Sequence, residues 1–261
     1  FAAIGVDARM LPDREVTVLA DPPLRGVVAC LPPHVLSAED REKAPKVEEL
    51  FIDVGLSQEE AERRIPLGTT VVYRSNFLRL GERQLCSKSM DDRACFEALL
   101  RTAELLQGRE VDVDLYVLGS TREEVGGMGA KVVTQAIAPD CCVAVDVTFG
   151  VTPDTSKEEA MVMGGGPAVG IGPNCARWMV RRLLSAAERE SIPVQKEVME
   201  GSSGTNGWGM QICNEGVATA VVSIPLKYMH TPVETVERAD IEDTARLLAA
   251  FAAGLGEGDW L

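Results

Sequence analysis

The sequence is short of several things, and each shortage excludes a class of function. Basic residues are outnumbered, 26 Lys and Arg against 40 Asp and Glu, for a net charge of -14. No phosphate-neutralising basic stripe is visible, which argues against nucleic acid or an anionic membrane as partner. No stretch approaches the roughly 18 consecutive apolar residues needed to span a bilayer. No charged, apolar, small-residue signal segment opens the sequence, so a cytoplasmic location is expected. Seven cysteines form an odd set without CxxC spacing. Cys95, Cys141 and Cys142 sit in apolar contexts where free thiols act as small hydrophobes, the pattern of a reducing compartment. Histidine is scarce, with only two in the chain. No internal repeat or low-complexity tract is present.

What remains is the composition of a globular protein with length for one large domain or two smaller ones. The texture changes near Gly81. Before it, short β-like pieces (Arg14 to Leu19, Gly26 to Cys30, Thr69 to Tyr73) alternate with proline turns and short polar helices. Ser37-Ala-Glu-Asp40 and Ser57-Gln-Glu-Glu60 both match the capping pattern of a helix start.

After Gly81 the rhythm is α/β. Phe96, Leu99, Leu100, Ala103 and Leu106 recur near a 3.6-residue period, predicting a helix from Asp92 to Gln107. Val111, Val113, Leu115 and Val117 alternate with polar residues and predict a half-buried strand. A helix from Val125 to Ala136 follows. Cys141 to Val147 reads as a strand covered on both faces. A helix at Cys175 to Glu190, strands at Val194 to Met199 and Thr219 to Pro225, and a helix at Asp240 to Ala253 complete a sheet with helices packed around it.

In such sheets ligands bind beyond the carboxyl ends of the strands, so polar residues just after apolar strands are the candidates. Asp91 and Asp92 open a helix, Glu123 and Glu124 follow the strand ending at Leu118, Asp146 sits near the end of a buried strand, and His230 follows the last one. Each also admits a plain structural role. Asp91 or Asp92 suits an N-cap, and Ser120-x-x-Glu123 and Thr121-x-x-Glu124 match capping boxes. Thr231-Pro232-Val233-Glu234 reads as a helix start that would make His230 the residue before a cap. Independent caps have no reason to follow successive strands, whereas one shared metal centre does.

Leu50-Phe-Ile-Asp-Val-Gly55, Ser89-Met-Asp-Asp-Arg93, Glu123-Glu-Val-Gly126, Ala144-Val-Asp-Val147, Gly165-Gly-Pro-Ala168 with Gly172-Pro-Asn174, and the run from Ile224 to Glu234 resemble the M42 family of dinuclear metallo-aminopeptidases. The blocks occur in family order over nearly the whole chain. The resemblance implies an α/β, zinc-peptidase-like three-layer catalytic domain at 84–261 and an inserted, barrel-like β-rich dimerisation domain at 1–83. It implies two divalent ions, zinc or cobalt, with Asp91 bridging them, Glu124 and His230 completing one site, Asp146 belonging to the other, and Glu123 as general base. It further implies peptide substrates and a homo-oligomer of dimer building blocks, up to a dodecamer.

The sequence departs from the family pattern twice. The family's His-x-Asp motif, which precedes the β-rich domain, is absent, and Phe1-Ala-Ala-Ile-Gly5 resembles the stretch that follows it, so the first part of the catalytic domain is expected upstream of Phe1. Pro32-Pro33-His34 matches a dimerisation-domain block, which leaves His34 outside the ligand set. In Thr205-Asn206-Gly207-Trp208 an asparagine replaces the usual aspartate, which bears on substrate selection and rate. The competing readings are a metal hydrolase of another bond, such as an N-acyl amide, a glycosidase, and an assembly-only homologue.

Overall fold

The fold is seen in a computed structural model that describes residues 1–3, 5–153, 155–156 and 160–256. It has two compact units, one of residues 1–78, 87–89 and 230–234, the other of 79–86, 90–229 and 235–261; of the second, 154, 157–159 and 257–261 lie outside the described residues.

In the first unit, β1 (Glu15–Val18), β2 (Leu24–Ala29), β3 (Phe51–Asp53) and β4 (Val71–Tyr73) form an antiparallel sheet in the order β3-β2-β1-β4. Alternation sorts the faces: Val16, Val18 and Val28 are buried, with Val16 and Val28 packing beside Leu11 and Leu50, while Glu15, Arg25 and Val27 face outward. Helix α1 (Gln58–Arg64) begins as expected, with Ser57 Oγ accepting from Glu60 N–H and Glu60 Oε2 accepting from Ser57 N–H. Ser37 makes the same contact to Asp40 N–H, but only a 3₁₀ turn over Asp40–Glu42 follows. Pro45 stands too close for a longer helix, because it disfavours helical geometry at the residue before it and donates no hydrogen bond.

The second unit is built on a seven-stranded sheet. Its strands are β5 (Leu78–Leu80), β6 (Gln84–Ser87), β7 (Cys141–Phe149), β8 (Ala168–Ile171), β9 (Gln195–Val198), β10 (Ala218–Lys227) and β11 (Glu234–Glu237). β10 is the central strand. One edge pairs in parallel with β7 along its length, and the other is shared by β8, which leads to β9, and by β11, which leads to β6 and β5. Helices α2 (Met90–Leu106), α3 (Met128–Ile137), α4 (Arg177–Arg189), α5 (Gly207–Met210) and α6 (Arg238–Ala253) cover it. Val169, Met179, Leu183, Val222 and Leu247 form the main core, and Met90, Cys95, Ile224, Leu226 and Val236 a second cluster. Thr102 ties α2 to α6, its hydroxyl reaching the carbonyls of Ala98 and Ala245.

Two expectations fail here. Residues 111–117 form no strand: a strand exists only against a hydrogen-bonded neighbour, none pairs with this segment among the described residues, and Leu115, Tyr116 and Val117 stay exposed. Thr231-Pro232-Val233-Glu234 starts no helix. Glu234 opens β11, and pairing of Leu226 with Val236 and Lys227 with Thr235 fixes extended geometry there.

Candidate metal centre

Strand β6 ends at Ser87, and two residues later Ser89 takes a left-handed turn, φ 56°, into α2. The first residues of α2 are not helical. Asp91 (φ -76°, ψ 103°) and Asp92 (φ -122°, ψ 41°) are bent out of the helix, so neither is a simple N-cap. Asp146 lies inside β7, which runs two residues further than expected, and is 8% exposed. Asp91, Asp92 and Asp146 each offer a carboxylate oxygen, and these atoms all lie within 4.8 Å of one another. Asp91 is also within 4.8 Å of Glu124 by the same measure. Asp91 is thus common to two acidic groupings.

Three carboxylates this close cannot all remain ordinary anions. Burial, joined by the Asp91 and Glu123 charges, lifts Asp92 to about 7 against the opposing hydrogen bonds from the Cys95 thiol and amide. Burial, then the charges of Asp92, Asp91 and Glu123, lifts Asp146 to about 8, opposed by its hydrogen bond from the Val147 amide at 2.8 Å. Burial also holds the Cys95 thiol well above its usual value, so it is a neutral donor to Asp92. Asp92 Oδ1 is buried with no hydrogen-bond partner.

Glu123 and Glu124 are not capping residues. The segment after Gly119 is a tight loop in which the Gly126 and Gly127 amides return to Glu123 O, and α3 begins only at Met128, after Gly127 in left-handed geometry. Gly129 makes this possible, since a Cβ there would stand 2.3 Å from Thr121 O. Glu123 is half-buried and Glu124 exposed. Asn206 Nδ2 braces the loop by donating to Ser120 Oγ at 3.0 Å, while its Oδ1 is buried without a partner.

His230 lies just beyond β10 with φ 61°, and its amide donates to Glu234 Oε1 at 2.8 Å. His34 lies in an exposed 3₁₀ turn, Pro33–Val35. Sequence reasoning set Asp92 beside Asp91 as a candidate ligand or N-cap but left it out of the metal set, and it read Cys95 only as a small hydrophobe. The signal for Cys95 was its place three residues after Asp92, one helical turn on.

An acidic group of this kind suits a divalent cation bound by oxygen and imidazole donors. An ion there would meet the orphaned Asp92 oxygen and remove the cost of crowding buried carboxylates. The residues present fit such a group.

Among proteins of known type, the lysyl aminopeptidase of Pyrococcus furiosus is 37% identical over 239 residues, which cover 90% of this chain and 68% of the relative. The solved aminopeptidase of Desulfurococcus kamchatkensis superposes with a TM-score of 0.90 at 35% identity, covering 99% of this chain and 73% of that one. The Pyrococcus horikoshii TET1 peptidase, described as able to assemble into a tetrahedron or a large octahedral shell, superposes with a TM-score of 0.83 at 28% identity, covering 96% and 74%. This chain thus spans about two thirds of the length of its curated relatives. Residues 1–247 match the M42 glutamyl aminopeptidase family, and the chain belongs to that family.

Proposed function

We propose that the protein is a metal-dependent aminopeptidase that removes N-terminal residues from peptides. The observation that carries the reading is the position of Asp91, common to an acidic pair with Glu124 and an acidic triad with Asp92 and Asp146. A carboxylate so placed suits two cations at once. In this reading Asp91 would be shared by two ions, Glu124 and His230 would hold one of them, and Asp146 would hold the other. Asp92, anchored by Cys95, supports the second site, a role the resemblance did not assign.

Two divalent ions, zinc or cobalt, would supply Lewis acidity to the scissile carbonyl and acidify the attacking water. The remaining steps belong to the chain's own groups. Glu123 accepts the proton of that water and passes it to the leaving amine. Its half-burial and the reach of its charge to both Asp92 and Asp146 support a base facing the centre. The exposed carboxylate of Glu124 is the one left to serve as ligand. Excess acidic charge favours a substrate with a cationic amino terminus. The β-rich unit serves as the dimerisation domain of a homo-oligomer built from dimers, up to a dodecamer; likeness to the TET1 peptidase supports a homo-oligomer.

The test is hydrolysis of aminoacyl anilides by the full protein. Activity disappears with chelator and returns with zinc or cobalt, and Glu123→Gln lowers kcat at least about 100-fold while bound metal stays constant. Chelator-resistant activity refutes the metal requirement, and undiminished activity in Glu123→Gln removes that residue from the base role. Release of acyl groups without free amino acids refutes the aminopeptidase.

A further inference from the structure

The first unit holds a group of hydrogen-bond donors that the metal centre does not use. Val16 of β1 pairs with Tyr73 of the edge strand β4, and both side chains pack on the inner face of the sheet. Arg14, two residues before Val16, falls on that face by the period of two, and its carbonyl still accepts from the Val28 amide, which continues the ladder. Glu15 and Arg74 fall on the other face, where they pair with each other at 3.4 Å. That pairing leaves Arg14 without a carboxylate. A cleft of about 460 Å³ opens at this place, lined by Arg14, Tyr73 and Lys88 among others, and its only other acid is the exposed Asp13. All of these residues belong to the first unit.

Three donors line this cleft with no acceptor to answer them. Arg14 Nε donates to the Met10 carbonyl at 3.2 Å, which fixes the guanidinium and leaves its terminal N–H groups without a partner among the described residues. Lys88 is half-buried and makes no ion pair or hydrogen bond among the described residues. With 40 acids for 26 bases, most cations of this chain can find a carboxylate; these two do not. The Tyr73 hydroxyl is buried with no partner. Burial raises its pKa against the nearby Arg14 charge, so it stays protonated and stands within reach of the guanidinium. Guanidinium, ammonium and a protonated phenol all donate, and their common complement is an acceptor. Two half-buried cations in one cleft also repel each other and lose hydration, a cost that a doubly negative ligand removes.

We propose that this cleft of the β-rich unit binds a phosphoryl dianion, as free phosphate or as the head of a phosphate ester. The terminal N–H groups of Arg14 meet two of its oxygens, Tyr73 donates to a third, and Lys88 supplies a second positive charge. A phosphate monoester carries about 1.5 to 2 negative charges at pH 7, which matches the two unpaired cations. A carboxylate brings one charge and two oxygens, and leaves a donor unmet.

The experiment is calorimetric titration of the metal-loaded full protein with inorganic phosphate, O-phospho-L-serine and acetate. Phosphate also binds metal ions, so the comparison with variants of the cleft decides. Phosphate affinity falls about 10- to 100-fold in Lys88→Gln, the range of a hydrogen bond to a charged group, and returns towards wild type in Lys88→Arg, which restores the charge. Tyr73→Phe deletes one oxygen, keeps the ring that packs in the core, and lowers the affinity about 3- to 10-fold. Equal phosphate affinity in wild type, Lys88→Gln and Tyr73→Phe overturns the proposal, as does the absence of saturable binding to wild type. Acetate bound as tightly as phosphate overturns the assignment of a dianion. Tighter binding of O-phospho-L-serine identifies the ligand as a phosphate ester, and tighter binding of inorganic phosphate identifies it as the free ion.

Discussion

Replacing Asp146 with asparagine tests whether the acidic group is held together at a cost that a cation relieves. In metal-stripped protein the Asp146 carboxyl is pushed from 3.8 to about 8 by burial and by neighbouring charges. The folded chain therefore keeps a proton that the unfolded chain has released between those values. Stability from this group is full below about pH 4 and is lost as pH rises through about 8. At 1.36 kcal/mol per pH unit the whole interval corresponds to about 6 kcal/mol. Asp92 draws on the same local proton affinity, so the loss assignable to Asp146 alone is on the order of 3 kcal/mol. Asparagine is close in shape and does not ionise. Urea denaturation of stripped protein should give Asp146→Asn and wild type similar stability near pH 4.5, and the variant about 3 kcal/mol more stability at pH 8.5. Zinc at one thousand times its Kd reverses the order, because an ion binding only the folded state then stabilises wild type by about 4.1 kcal/mol. A difference between variant and wild type that stays constant across pH refutes the argument, as does equal stabilisation of both by zinc.

Two further outcomes follow from packing. Gly129→Ala puts a methyl group 2.3 Å from Thr121 O, a backbone atom, so the Glu123–Glu124 loop must move; we expect about 1–3 kcal/mol of destabilisation in urea together with lost anilide hydrolysis, and a fully active, equally stable variant refutes the tight-turn account. Thiol labelling of the folded protein should modify Cys30, which is exposed, well before the buried Cys86, Cys95, Cys175 and Cys213. Mass spectrometry showing early Cys95 labelling would contradict its role as a buried donor to Asp92.

Elements that bury a periodic face were legible in the sequence. The helices at Met90–Leu106 and Arg238–Ala253 and the strands at Cys141–Phe149 and Ala218–Lys227 fall within a few residues of their expected bounds. Local signals misled where tertiary pairing decides. The alternation of 111–117 is a strand pattern without a pairing neighbour among the described residues, and proline after Thr231 looks like a helix start until Val236 pairs with Leu226. The capping-box matches at Ser120 and Thr121 failed for a related reason: left-handed Gly127 delays the helix, and the intervening turn holds both glutamates outside it.

The acidic site was legible as a set of residues following strands, but the division of labour within it was not. Asp91 and Asp92 are the same amino acid in adjacent positions, and only their surroundings distinguish them. Asp92 is bound to a buried neutral thiol, has an orphaned oxygen and is raised to about 7, whereas Asp91 is common to both acidic groupings. Among the described residues the main influences on Asp92 and Asp146 are burial, neighbouring carboxylates and hydrogen bonds from Cys95 and Val147, with no cationic side chain among them. A cluster serving stability alone would have been paired with lysine or arginine, or replaced by apolar residues of similar volume. Retaining several acids there costs the metal-free fold stability as pH rises, and that cost is intelligible when the acids serve a cation.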